Sequence, residues 1–267
     1  MAKIICFANS KGGVGKTTSC LAVGSCMAEL GYPTLLIDLD HQGNLSDDLG
    51  RGDEDYTITD LFQDPKYNVN QLVYTALYGD QEIENLDVIP ADITLAVEAR
   101  SAERYRHRLQ ILEDGLKRLK KKYDFILIDL RPAIDLSIEN ALLITDLVVV
   151  PVDVDRRATK GIKDLFAVVS EIKRTENFAH LVVKTKIDLR NTVMLRSTNE
   201  RIADLGLNVA RTQIRTSEIF KQATDQKAPV THFAPNSKAH LDYQALTNEV
   251  LDHLDIKGDR FNAEVEK

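Results

Sequence analysis

The residues best suited to chemistry stand near the start of the chain, in the run Ser10-Lys11-Gly12-Gly13-Val14-Gly15-Lys16-Thr17-Thr18. Glycines at this density let backbone N–H groups converge on phosphate oxygens with no Cβ in the way. Lys16 is spaced to reach the β- and γ-phosphates of a nucleotide, and the Thr17 hydroxyl to ligate Mg²⁺. Ser10 holds the place of the first glycine in the usual G-x-x-x-x-G-K-[ST] pattern, and Lys11 adds a second lysine within the loop. A glycine turn that merely precedes a helix is the plain alternative, and the carboxylates elsewhere argue against it. Asp38 and Asp40 end one apolar run (LLIDLD) and Asp129 closes another (FILID). Carboxyl ends of strands are where ligands gather in open α/β sheets. Asp38 alone reads equally well as a turn residue; together with Asp40 and Asp129 it reads as part of a cation site.

These groups need a scaffold, and the hydrophobic pattern supplies one. An apolar run from Ile4 to Ala8 leads into the loop, and a helical pattern follows through Leu30 with Gly31 as a stop. Further β-type runs occur at Thr34 to Ile37, Leu86 to Ile89, Phe125 to Ile128, Leu147 to Val152 and Leu181 to Ile187. Helical patterns between most of them predict an α/β fold: a doubly wound, mostly parallel sheet with helices on both faces. Several runs are almost wholly apolar, as strands covered on both sides should be. We expect residues 1–267 to form one domain, with 51–84 a helical and loop insertion and 254–267 a frayed tail.

Composition narrows the function classes. Cys6, Cys20 and Cys26 form no C-x-x-C pair, which fits small apolar packing in a reducing cytoplasm better than a disulfide framework. No run is long and apolar enough for a membrane span, and no leader pattern opens the chain. The formal net charge is −7, yet Lys184 to Lys227 holds nine Lys/Arg against five Asp/Glu. Any nucleic-acid face is therefore expected in that stretch.

The chain resembles, over nearly its whole length, the ParA family of deviant Walker A ATPases, in the short form without an N-terminal helix-turn-helix. KGGVGKTT looks like the family's phosphate loop, LLIDLDHQGN is similar to its second box, and YDFILID followed by ENALLITD is similar to its Walker B region. VVVPVDVDRRATKGI resembles the segment after that. The resemblance implies ATP and Mg²⁺ as cofactors and an ATP-dependent homodimer in which Lys11 reaches the partner's nucleotide. It implies that Asp40 orients the attacking water and that Asp38 and Asp129 hold Mg²⁺ through water. Residues 11–18, from Lys11 through Gly12, Gly13, Val14, Gly15, Lys16 and Thr17 to Thr18, would cradle the phosphates. It further implies non-specific DNA binding, with Arg190 and Arg215 at positions like the family's DNA-contacting arginines, and a ParB-like or other small adaptor that stimulates slow hydrolysis. Such a protein would be cytoplasmic and nucleoid-associated when ATP-bound, and would position a plasmid, a chromosome or another cargo.

Two positions depart from the family's pattern: His41 and Arg131 stand where proline is common. Arg131 reads either as a solvated loop residue or as part of a γ-phosphate switch. Thr185-Lys186-Ile187-Asp188 resembles the guanine-reading [NT]-K-x-D pattern of GTPases, although the whole-chain resemblance favours adenine. The alternatives are a MinD-like membrane switch, disfavoured by the acidic, non-periodic tail, and an iron–sulfur ATPase like the nitrogenase iron protein, disfavoured by the cysteine positions. With the loop beginning at residue 10, an operator-reading domain ahead of the first strand is not expected.

Overall fold

The computed structural model describes residues 2–153, 158–188, 190 and 192–261. Eight strands form one sheet: β1 (Lys3–Phe7), β2 (Thr34–Leu39), β3 (Tyr74–Tyr78), β4 (Gln81–Ile89), β5 (Phe125–Leu130), β6 (Leu147–Asp153), β7 (His180–Ile187) and β8 (Val209–Arg215). Their order is β3-β4-β2-β5-β1-β6-β7-β8. Every pairing is parallel except that of β3 with β4. The connecting helices are α1 (Lys16–Glu29), α2 (Asn44–Asp48), α3 (Ile58–Gln63), α4 (Leu95–Ser101), α5 (Ile111–Leu116), α6 (Leu136–Ile144), α7 (Ala158–Lys173), α8 (Thr192–Ala203), α9 (Glu218–Asp225), α10 (Val230–Phe233) and α11 (Lys238–His253).

The period-two alternation of each strand splits the core into two layers. Cys6, Leu35, Ile37, Ile126 and Ile128 join one cluster, while Ile5, Phe7, Leu36, Phe125 and Leu127 join the other. Each fully buried side chain of this kind contributes about 1.5–3 kcal/mol. β2 and β5 are buried at every position, which is the apolar run explained. α1 lies in the second layer, with all but three residues buried. A Cβ at Gly24 would come within 2.5 Å of Leu36 Cδ2, so glycine lets α1 approach β2 closely.

The chain leaves β1 for β2 on one side and later reaches β6 on the other. The crevice beyond the carboxyl end of β1 is therefore the switch point where a doubly wound sheet binds ligands. Two expectations need correction, and one strand was not foreseen. The 51–84 stretch is not only helix and loop: it carries β3 and the start of β4, an edge hairpin around Gly79. β8 went unrecognised because it alternates buried and exposed residues on the sheet edge, with no apolar run. The tail after His253 does not fray at once: Leu254, Ile256 and Phe261 pack on the core, and Asn248 bonds both backbone groups of Phe261. Its last residues, 262–267, lie outside the described residues. The three cysteines are buried and form no disulfide, and burial pushes the Cys6 thiol up to about 12.

Candidate nucleotide site

β1 ends against β5 and β6, and the loop turns over its end into α1. Gly13 (φ 72°) and Gly15 (φ 89°) occupy the left-handed region that favours glycine. A Cβ added at Gly12, Gly13 or Gly15 would meet nothing within 4 Å. Backbone conformation selects glycine at 13 and 15, and the space beside the loop is open. Gly15 caps α1 without any side-chain hydrogen bond. The helix's first N–H groups therefore remain available to an anion, and its dipole favours one. Val14 is buried under the loop, while Thr18 is half-buried at the helix start.

The loop is tied down from several directions. Asn9, 4% exposed, donates from Nδ2 to Pro151 O at 2.7 Å and accepts from Lys11 N at 2.9 Å. Ser10 Oγ donates to Gly161 O at 3.2 Å. Lys11 Nζ donates to both oxygens of Asp153, at 2.7 and 2.6 Å. Thr185 Oγ1 donates to Val14 O at 2.8 Å, and Lys186 Nζ to Gly13 O.

On the other flank lie the carboxylates. Asp38 and Asp129 are direct register partners on β2 and β5, and both are buried. Asp38 accepts Asp40 N at 2.9 Å, Ser46 N at 3.0 Å and Ser46 Oγ at 2.8 Å. Burial pushes its carboxyl up to about 6, against the lowering effect of those hydrogen bonds. Asp129 Oδ2 accepts the Thr17 hydroxyl at 2.6 Å, while its Oδ1 is buried with no hydrogen-bond partner. Burial and then the charge of Asp38 hold the Asp129 carboxyl well above the usual range. Lys16 is 8% exposed, and burial lowers its ammonium more than the attraction of Asp129 and Asp40 restores it. The raised Asp38 and Asp129 carboxyls and the orphaned Asp129 Oδ1 show that negative charge is costly here without a further cation beside Lys16. A hard divalent cation fits that donor set: a threonine hydroxyl and carboxylate oxygens, directly or through water. Asp40 stands at the mouth, 3.5 Å from His41 Nδ1.

Arg131 is not solvated. Its side chain is 13% exposed and pairs with Asp135, which caps α6 through Ser137 N and Ile138 N. Arg190 follows the end of β7 and Arg215 ends β8. Arg190 is 91% exposed and bound to Asp188; Arg215 is 32% exposed and bound to Asp242. Lys184, the first residue of the basic stretch, is 8% exposed and donates to Asn199 Oδ1. Among the described residues no helix is long and apolar enough to cross a membrane.

A family described as an AAA domain matches residues 2–182. The sporulation initiation inhibitor protein Soj of Bacillus subtilis is 32% identical over 262 residues, covering 94% of this chain and 98% of Soj. The chain belongs to the ParA/Soj family of ATPases. Among solved structures, a plasmid partition protein from Borrelia burgdorferi bound to AMPPNP superposes with a TM-score of 0.79 at 23% identity, covering 94% of this chain and 99% of that one. Cobyrinic acid a,c-diamide synthase from Mycobacterium smegmatis, with ADP and magnesium, gives 0.79 at 24% identity over 98% of this chain and all of that one. At these identities the likeness carries the fold, which the ParA family shares with an enzyme of different chemistry. Within this ParA-family chain, sequence reading missed Asn9, Ser46 and Asp153. Asp153 had a usable signal, since it directly follows the apolar run Leu147–Val152 as Asp129 follows Phe125–Ile128; the roles of Asn9 and Ser46 exist only through the folded contacts.

Proposed function

We propose that this chain is an ATP-switched positioning protein: it binds ATP and Mg²⁺, closes into a sandwich dimer, holds DNA without sequence preference, and releases it when a partner stimulates hydrolysis. The observation that carries this reading is the convergence at the end of β1 of the open glycine loop, Lys16 and the carboxylates of Asp38, Asp40 and Asp129. In this reading the loop N–H groups and Lys16 bind the β- and γ-phosphates, and Thr17, Asp38 and Asp129 hold the metal. Bound Mg²⁺ supplies charge neutralisation for phosphoryl transfer. Asp40, at the mouth, orients the attacking water; a lone carboxylate is a weak base, so turnover is slow without the partner.

Lys11 reaches the second subunit's nucleotide only after leaving Asp153. That pair is partly exposed, 34% and 23% for the two side chains, so water reaches both groups and weakens their attraction. A ParB-like or other small adaptor is the stimulating partner, and the ATP-bound dimer is associated with the nucleoid. The test is to measure mass and binding of random duplex DNA with a non-hydrolysable ATP analogue, with ADP and with neither. A dimer that forms and retains DNA only with the ATP analogue is expected; equal mass and equal DNA binding in all three would refute the switch.

A further inference from the structure

The TKID segment at the end of β7 is the motif that an adenine-binding reading leaves without a task. Its first two residues do not point their polar groups at a base in this structure. Thr185, 2% exposed, donates its hydroxyl to Val14 O at 2.8 Å, and Lys186 donates its ammonium to Gly13 O. The base-reading member of the pattern, Asp188, is engaged through both oxygens by Arg190, from Nε at 2.9 Å and from the terminal nitrogen at 2.8 Å. Lys186 also has φ 55°, the left-handed region that a lysine adopts only at a cost. Such strain persists where the surroundings over-determine it, and it is a pointer to function.

We propose that Thr185 and Lys186 are positioning residues that set the peptide planes of the phosphate loop. The proposal rests on reading residues 10–18 as a nucleotide phosphate loop. In a trans peptide the C=O and the following N–H point in opposite directions. Holding Gly13 O and Val14 O toward β7 therefore turns the N–H groups of Val14 and Gly15 away from β7, into the open space beside the loop. Neither N–H has a hydrogen-bond partner among the described residues. Two consecutive carbonyls tied on one side leave two donors presented together on the other, which is the geometry of an anion nest. Preorganised donors stabilise phosphate without reorganising when it arrives. The carbonyl ties act on the phosphate chain, so their contribution is the same whichever purine is attached.

The experiment measures affinity for non-hydrolysable ATP and GTP analogues, together with the melting temperature of the nucleotide-free protein. Thr185→Val keeps the side-chain shape and removes the donor; it should weaken both analogues about tenfold, the equivalent of one well-placed hydrogen bond lost. Thr185→Ser should restore binding to within about twofold. Lys186→Met should weaken both by about threefold. Lys186→Gly separates fold from function, because it relieves the left-handed strain: the melting temperature should hold or rise while nucleotide affinity falls. The proposal is overturned if Thr185→Val and Lys186→Met bind like the parent, if the loss is confined to one base, or if Lys186→Gly binds nucleotide undiminished. A parent chain that binds neither analogue removes the phosphate-loop reading itself and this proposal with it. A parent that binds, with unaffected variants, removes the proposal alone.

Discussion

The phosphate loop and the stretch from Lys184 to Lys227 both concentrate cationic groups, and the fold treats them in opposite ways. In the loop, Lys16 is buried and faces carboxylates that outnumber it, and glycine backbone lies open beside it. In the later stretch the cations are individually paired. Arg215 binds Asp242 at 2.6 Å, Arg196 binds Glu200 at 3.1 Å, Lys221 binds Glu218 at 3.1 Å, and Lys227 lies 3.6 Å from Asp47. Arg211 stands 4.0 Å from Glu249. Asp47, Asp242 and Glu249 lie outside the Lys184 to Lys227 stretch. A local excess of lysine and arginine in sequence is thus diluted by acids that α2 and α11 bring back to it. Chemistry carried by backbone and spacing survives folding unchanged; a charge sum does not.

The largest expected effects sit in the loop. Lys16→Ala should abolish measurable nucleotide binding, a loss of about a hundredfold or more, because it removes a charge-assisted contact inside a partly dehydrated site. Asp40→Ala should keep binding and slow hydrolysis by about a hundredfold, trapping the ATP-bound state. Titration calorimetry and phosphate release separate the two. Unchanged hydrolysis in Asp40→Ala alongside a dead Lys16→Ala would remove Asp40 from the water-orienting role.

The basic stretch offers smaller effects that differ between its two arginines. If both meet DNA phosphates in a dimer, each substitution to alanine should reduce the log–log salt slope by about 2. Arg190→Ala should do so with no change in stability, since an ion pair this exposed contributes little. Arg215→Ala should in addition cost about 1–2 kcal/mol of folding stability. Its loss leaves the Asp242 carboxylate, 10% exposed, with fewer donors than it has now. Salt-dependent DNA binding and urea unfolding of both variants test the contrast. Equal slopes to the parent in both variants would remove these arginines from any DNA face.

What could be read from the sequence follows from the same contrast. The order strand, loop, helix around Ser10–Thr18 is local, so its pattern in sequence is its pattern in space. The apolar runs that became β1, β2, β5, β6 and β7 are buried on both faces and carry their own signal. β3 and β8 are edge strands with mixed burial, and only their partners define them. The contacts of Lys11 with Asp153 and of Thr185 with Val14 each join residues more than 140 positions apart. The phosphate-loop and TKID motifs mark Lys11, Val14 and Thr185 one by one, but no periodicity announces which of these residues meet.

The smallest effect concerns a carboxylate that serves neither region directly. Asp48, at the end of α2, is 8% exposed, and its carboxyl is pushed up to about 7, first by burial and then by Asp47 and Asp38. In the unfolded chain the same group titrates near 3.8. The folded protein therefore binds the proton more tightly than the unfolded one, and stability falls as pH rises from about 4 toward 7 before levelling off. Asp48→Asn removes the charge and keeps the shape. It should unfold at higher urea than the parent at pH 8, by about 1–2 kcal/mol after allowing for relaxation of the site. At pH 5, where the parent's Asp48 is protonated in the folded state, most of that advantage should vanish. A constant difference between the two pH values would mean that the carboxyl is not held protonated below neutrality. The substitution would then be acting through packing beside α1, and the acid cluster formed by Asp38, Asp47 and Asp48 would carry less mutual repulsion than its burial implies.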